Sequence, residues 1–139
     1  MFERCLYFNS QNLARTIAKR WDKEFKKYDL SPPHAYLLRL VLAKPGLLQR
    51  EIAVELGISK STVTRFIDSL EDKGLLCRKM GRGDAREQSI YPTSKAKAIH
   101  KKLEASGEQL YKEMKKLIGG EELNVTVRKM RKIQSELEE

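Results

Sequence analysis

The chain has 139 residues, with 28 Lys and Arg against 19 Asp and Glu, for a formal net charge of +9. That length suits one domain whose core needs neither disulfides nor metal, and two distant cysteines and two lone histidines supply neither. No signal-peptide pattern and no apolar run near the ~18 residues of a membrane span is present, so a cytoplasmic protein without membrane contact is expected.

Residues 5–28 read as one long helix with an apolar line of Leu6, Leu13, Ile17, Trp21, Phe25 and Tyr28. Asp29-Leu30 breaks it. Ser31 is an N-cap, and Pro32 sits where a helix tolerates proline best. The helix expected over about 33–44 is apolar nearly all round, so it should be central; Lys44-Pro45-Gly46 stops it.

The stretch Leu48–Gly74 predicts two short helices joined by a tight turn. Leu48, Ile52, Ala53 and Leu56 share one face of the first. Gly57 supplies a left-handed position to end it, and Ile58 plugs the angle. Ser59 caps the second helix, whose apolar stripe is Val63, Phe66, Ile67 and Leu70. The opposite face carries short hydroxyls and an arginine, a pattern that suits the major groove of duplex DNA. Ser59, Lys60, Ser61, Thr62, Thr64 and Arg65 are the candidate contacts. The competing reading is an ordinary helical hairpin.

Two short β-type runs follow, Leu75–Lys79 and Gln88–Pro92, around a tip rich in glycine and arginine. A hairpin directly after a recognition helix is the wing of a winged helix. Arg78, Lys79, Arg82 and Arg86 would reach phosphate or the minor groove, and Asp84 would pair with a neighbouring arginine. Residues 60–102 carry 11 basic against 5 acidic groups, so the positive charge gathers here, as a nucleic-acid surface requires.

Thr93 should cap a long helix whose line is Ala96, Ile99, Leu103, Leu110, Met114 and Leu117, close to a heptad repeat. Gly119-Gly120 breaks it, and a last helix carries Leu123, Val127, Met130, Ile133 and Leu137. A compact winged helix needs neither these nor the long N-terminal helix. Their apolar faces would be buried against a second copy through Leu6, Leu13, Ile17, Leu110, Met114, Leu117, Leu123, Val127, Met130 and Leu137. The expected organisation is therefore a single mainly α domain over 1–139. Residues 1–30 and 94–139 would dimerise, and 33–92 would form the DNA-binding winged helix-turn-helix.

The run REIAVELGISKSTVTRFIDSLEDKGLLCRK, followed by GRGDAREQSIYPTSKA, resembles the MarR family of transcriptional regulators, with its Asp-x-Arg wing at Asp84 and Arg86. The order of elements is similar from about residue 5 to 138. Pro92 departs from the leucine usual before the threonine, a small change near a strand end. The resemblance implies a homodimer on a palindromic operator, most often a repressor released by a small phenolic or anionic effector. It also implies a ligand cleft between the dimer helices and the DNA-binding lobe, and no cofactor. Two other readings stand beside it. One is an oxidation sensor of the same fold using Cys5; the other is a winged helix for protein contacts without DNA. No nucleophile–base pair or carboxylate pair suggests an enzyme.

Overall fold

The computed structural model describes residues 1–80 and 87–138, and the chain divides into two compact units, Met1–Glu104 and Ala105–Glu139. The first unit opens with α1, Leu6–Phe25, whose N-cap Cys5 accepts the Phe8 amide proton on Sγ at 3.4 Å. Of its 20 residues only Phe25 is buried. A 3-10 turn over Lys26–Tyr28 and a left-handed Asp29 (φ 57°) end the element.

The central helix is α2, Pro32–Ala43. Ser31 caps it by accepting from the His34 amide at 3.4 Å. Ala35, Leu37, Leu38 and Val41 are fully buried, so the helix is enclosed on several faces as its composition demands. Each large aliphatic side chain buried there contributes about 1.5–3 kcal/mol of transfer free energy.

Around α2 lie α3 (Gln49–Leu56), α4 (Lys60–Asp72) and a three-stranded antiparallel sheet. The sheet order is β1 (Leu47–Leu48), β3 (Gln88–Pro92), β2 (Leu76–Met80). The β2–β3 hairpin starts and ends within one residue of the sequence expectation. The two-residue β1 has no signature in the sequence, and it takes Leu48 out of the helical stripe expected of it. Instead of starting the helical stripe, Leu48 pairs with Ser89 in the sheet and serves as N-cap residue of α3, its amide donating to Glu51 Oε1 at 2.9 Å. Pro92 is tolerated in the central strand because it is the last residue, and the ladder continues from the Thr93 amide to the Leu75 carbonyl at 3.1 Å.

Thr93 then caps α5, Ser94–Ile118. Its hydroxyl accepts from the Ala96 amide at 3.2 Å and donates to the Gly74 carbonyl at 2.6 Å. Within the first unit, α5 is tied back by Tyr28, whose hydroxyl donates to the Lys102 carbonyl at 2.7 Å. Arg39 adds a two-pronged bond to Glu104 at 2.9 and 3.1 Å. That guanidinium holds the Glu104 carboxyl below its ordinary range.

The second unit contains the rest of α5 and α6, Gly120–Leu137, which starts at Gly119 in a positive-φ conformation (90°). Ser106 and Leu110 are buried, whereas α6 buries none of its residues.

Candidate nucleic-acid interface

Two helices meet at a turn whose geometry the sequence dictates closely. Gly57 adopts φ 66°, ψ 37°, a left-handed conformation that costs other residues about 1–2 kcal/mol. Its amide bonds the Val54 carbonyl at 3.3 Å, and the Ile58 amide bonds that of Ala53 at 3.1 Å, closing the end of α3. Val63, Ile67 and Leu70 are fully buried under α4, and Phe66, half-buried, meets the His34 ring edge-on at 4.5 Å between centroids. That packing fixes which face of α4 is left outward.

On the outward face the hydroxyls form an ordered chain. Ser59 Oγ accepts from the Thr62 amide at 3.1 Å and donates to Thr62 Oγ1 at 2.8 Å. Because its one proton is committed, the 3.1 Å contact with Ser61 Oγ has Ser61 as donor. Thr62 Oγ1 also accepts from Arg65 Nη2 at 3.3 Å. Thr64 Oγ1 donates to the Lys60 carbonyl at 3.0 Å and accepts from Gln49 Nε2 at 3.2 Å. Lys60, Ser61, Thr64 and Arg65 are exposed, and Thr62 is half-buried. The six residues singled out from the sequence therefore gather at the first two turns of one helix.

The hairpin is different. Lys79 is exposed, with its ammonium 4.5 Å from the Tyr91 ring centroid. Arg82, Asp84 and Arg86 lie outside the described residues. Arg78, expected to face DNA, is turned inward. Its guanidinium bonds Glu71 Oε1 at 2.7 Å, Asp68 Oδ1 at 2.5 Å and Gln49 Oε1 at 3.2 Å, and its side chain is only 16% exposed. The cause is electrostatic: two carboxylates of α4 flank the middle of β2, and a planar fork matches them better than solvent does. Gln49 and the Arg50–Glu87 pair (2.7 Å) were not anticipated, since nothing in their local sequence marks them as partners of a hairpin about 30–40 residues away.

An open cleft of about 400 Å³ lies at the far end of α4, lined by Asp22, Lys26, Ser31, His34, Ser69 and Lys73 among others. Lys73 Nζ bonds the Asp29 backbone carbonyl, with the Asp29 carboxylate 3.5 Å away. Burial, and then the charge of Lys73, push the His34 pKa below its ordinary value.

Of the residues expected to dimerise, Leu6, Leu13, Leu117, Val127, Met130 and Leu137 are exposed, and Ile17, Met114 and Leu123 are half-buried. Leu110 is fully buried within the protomer, leaving it no surface to offer a second copy. Phe2, Tyr7, Phe8, Tyr111 and Ile118 are exposed apolar groups the periodicity does not single out, and Ile133, part of the apolar line of the last helix, is exposed as well. Among the described residues no group of three or more His, Cys, Asp or Glu side chains is placed to hold a metal ion, and no helix is long and apolar enough to cross a membrane.

Residues 28–87 match the family model described as "MarR family", a span that contains the two-helix turn and the first strand of the hairpin. The chain is 28% identical over 97 residues to the uncharacterized HTH-type transcriptional regulator YybA of Bacillus subtilis. That match covers 69% of this chain and 64% of YybA, so it spans less than two thirds of the relative's length. Among solved structures, the fold is similar to Staphylococcus aureus MepR in its DNA complex, with a TM-score of 0.88 and 20% identity over 98% of this chain and 100% of that one. It is also similar to Streptomyces coelicolor PcaV in complex with its natural ligand, with a TM-score of 0.81 and 20% identity over 99% and 100% of the two chains.

Proposed function

We propose that the chain is a transcriptional regulator of the MarR family, whose model matches residues 28–87, and that it represses transcription as a homodimer bound to a palindromic operator. The observation that carries this reading is the outward face of α4. Its first two turns present Ser59, Lys60, Ser61, Thr62, Thr64 and Arg65 opposite a fully buried stripe, so the polar face can enter a major groove without unpacking the core. Lys79, exposed on the hairpin, would then lie along the sugar–phosphate backbone or the minor groove.

The dimer is supported by the apolar side chains left exposed in each unit, which a lone protomer would hold in water. Two recognition helices related by a two-fold axis read half-sites about 34–36 Å apart, hence the palindrome. Release by a small effector is the natural control for such a repressor; PcaV, of the same fold, is solved with a natural ligand. A repressor acting on chromosomal operators would work in the cytoplasm.

Selection of duplexes from a random-sequence library by the purified protein tests this directly. Enrichment of one imperfect palindrome with one-turn spacing is the expected result. Equal retention of all sequences, or a single asymmetric half-site, would overturn it.

A further inference from the structure

The hairpin is gripped between its middle and its loop end by the first turn of α3. Arg78, the middle residue of β2, bonds Gln49; Glu87, the residue before β3, bonds Arg50. Neighbouring residues of one short helix therefore hold the two sides of the hairpin. The same Gln49 reaches the recognition helix, donating through Nε2 to Thr64 Oγ1 while its Oε1 accepts from Arg78 Nε. The guanidinium continues to Asp68 and Glu71, farther along that helix.

We infer that Gln49 and Arg78 are positioning residues that lock Thr64 and the middle of the hairpin into one geometry and thereby set sequence preference without touching DNA. This rests on the DNA-binding reading above. Asp68 and Glu71 are 57% and 42% exposed, and ion pairs so wetted add little stability by themselves. What the contacts supply is direction. The proton of Thr64 goes to the Lys60 carbonyl and one of its lone pairs to Gln49, so this hydroxyl can accept from a base edge but cannot donate to it. Arg78 also offsets part of the negative charge of Asp68 and Glu71, which would otherwise repel a polyanion beside the reading face more strongly.

Gln49→Glu separates the roles. A carboxylate still accepts from Arg78 but has no proton for Thr64. Binding of each variant is compared on a duplex enriched by the wild type and on a shuffled duplex of the same composition, with melting temperature recorded alongside. Gln49→Glu is expected to lower the enriched-to-shuffled affinity ratio about tenfold without a matching drop in melting temperature. Arg78→Lys, which keeps the charge but loses the fork, should lower the ratio in the same direction. In a Thr64→Ala background, Gln49→Glu should change the ratio no further, because the partner through which it acts is gone. A purely structural role would instead lower affinity for both duplexes together and add to the effect of Thr64→Ala. That outcome, or an unchanged ratio in Gln49→Glu and Arg78→Lys, overturns the inference alone. A wild-type protein with no preference for any duplex overturns the DNA-binding reading, and the inference with it.

Discussion

Replacing Arg65 by alanine puts the recognition helix to its most direct test. Arg65 stands about one turn into α4 on the exposed face, with Nη2 bonded to Thr62 Oγ1 at 3.3 Å. A guanidinium carries five N–H donors in a fixed fork, so a bond to Thr62 still leaves the two that O6 and N7 of a guanine require. One such bidentate contact discriminates by about 1–3 kcal/mol, and a dimer reading two half-sites makes it twice. Arg65→Ala should therefore cost about 2–6 kcal/mol on the enriched operator duplex and much less on a shuffled one. Arg65→Lys restores charge without the fork, so it should recover binding to the shuffled duplex but not the preference. Anisotropy titrations of both duplexes at one fixed salt concentration measure the difference. Equal losses on the two duplexes, or full recovery by lysine, would refute base reading by this side chain.

Leu13→Lys combined with Ile17→Lys should give monomers by light scattering, whereas a wild-type monomer at micromolar concentration would contradict the dimer. Ile67 is fully buried on the inner face of the recognition helix, so Ile67→Ala should cost about 2–5 kcal/mol in urea unfolding, and a negligible loss would contradict that packing. The pKa of His34 is lowered from 6.5 in the folded state, so the unfolded chain binds the proton more readily. Stability from this group is complete above that range and declines as pH falls through it; His34→Gln should flatten that decline in urea midpoints taken from about pH 8 to about pH 5.5. A wild-type profile rising toward acid over the same interval would count against it. Cys5→Ser should leave operator binding unchanged before and after peroxide treatment; loss of a peroxide response in the variant alone would restore the oxidation-sensor reading.

Local patterns in the sequence carried much of this architecture. Ser31, Ser59 and Thr93 announce helix starts because a hydroxyl beside an apolar-periodic run has a free amide to bond, and all three do so here. Gly57 and the stripe of Val63, Ile67 and Leu70 likewise needed only neighbours within one or two turns. What escaped depends on distant partners. The strand β1 is two residues long, too short to show alternation, and exists only because β3 passes beside it. Arg78 reads as a solvent-facing wing cation until Asp68, Glu71 and Gln49 converge on it. Leu110 fits a heptad line toward a second copy, yet it is enclosed within its own protomer. Periodicity identifies an apolar position without naming what covers it.

The two-residue strand also bears on the order in which the chain assembles. The bond from Tyr28 to the Lys102 carbonyl joins residues 74 apart. Closing a flexible loop of that length directly costs about 4 kcal/mol of chain entropy beyond a constant term. Once Leu47 has paired with Ile90, the chain between Tyr28 and Lys102 is short-circuited to about 30 residues, lowering that cost by about 0.8 kcal/mol. The pairing of β1 with β3 thus acts as an intermediate zip stop. It makes the contact between Tyr28 and the start of α5 cheaper to form once the sheet is in place, so the small strand favours, without enforcing, assembly of the hairpin first.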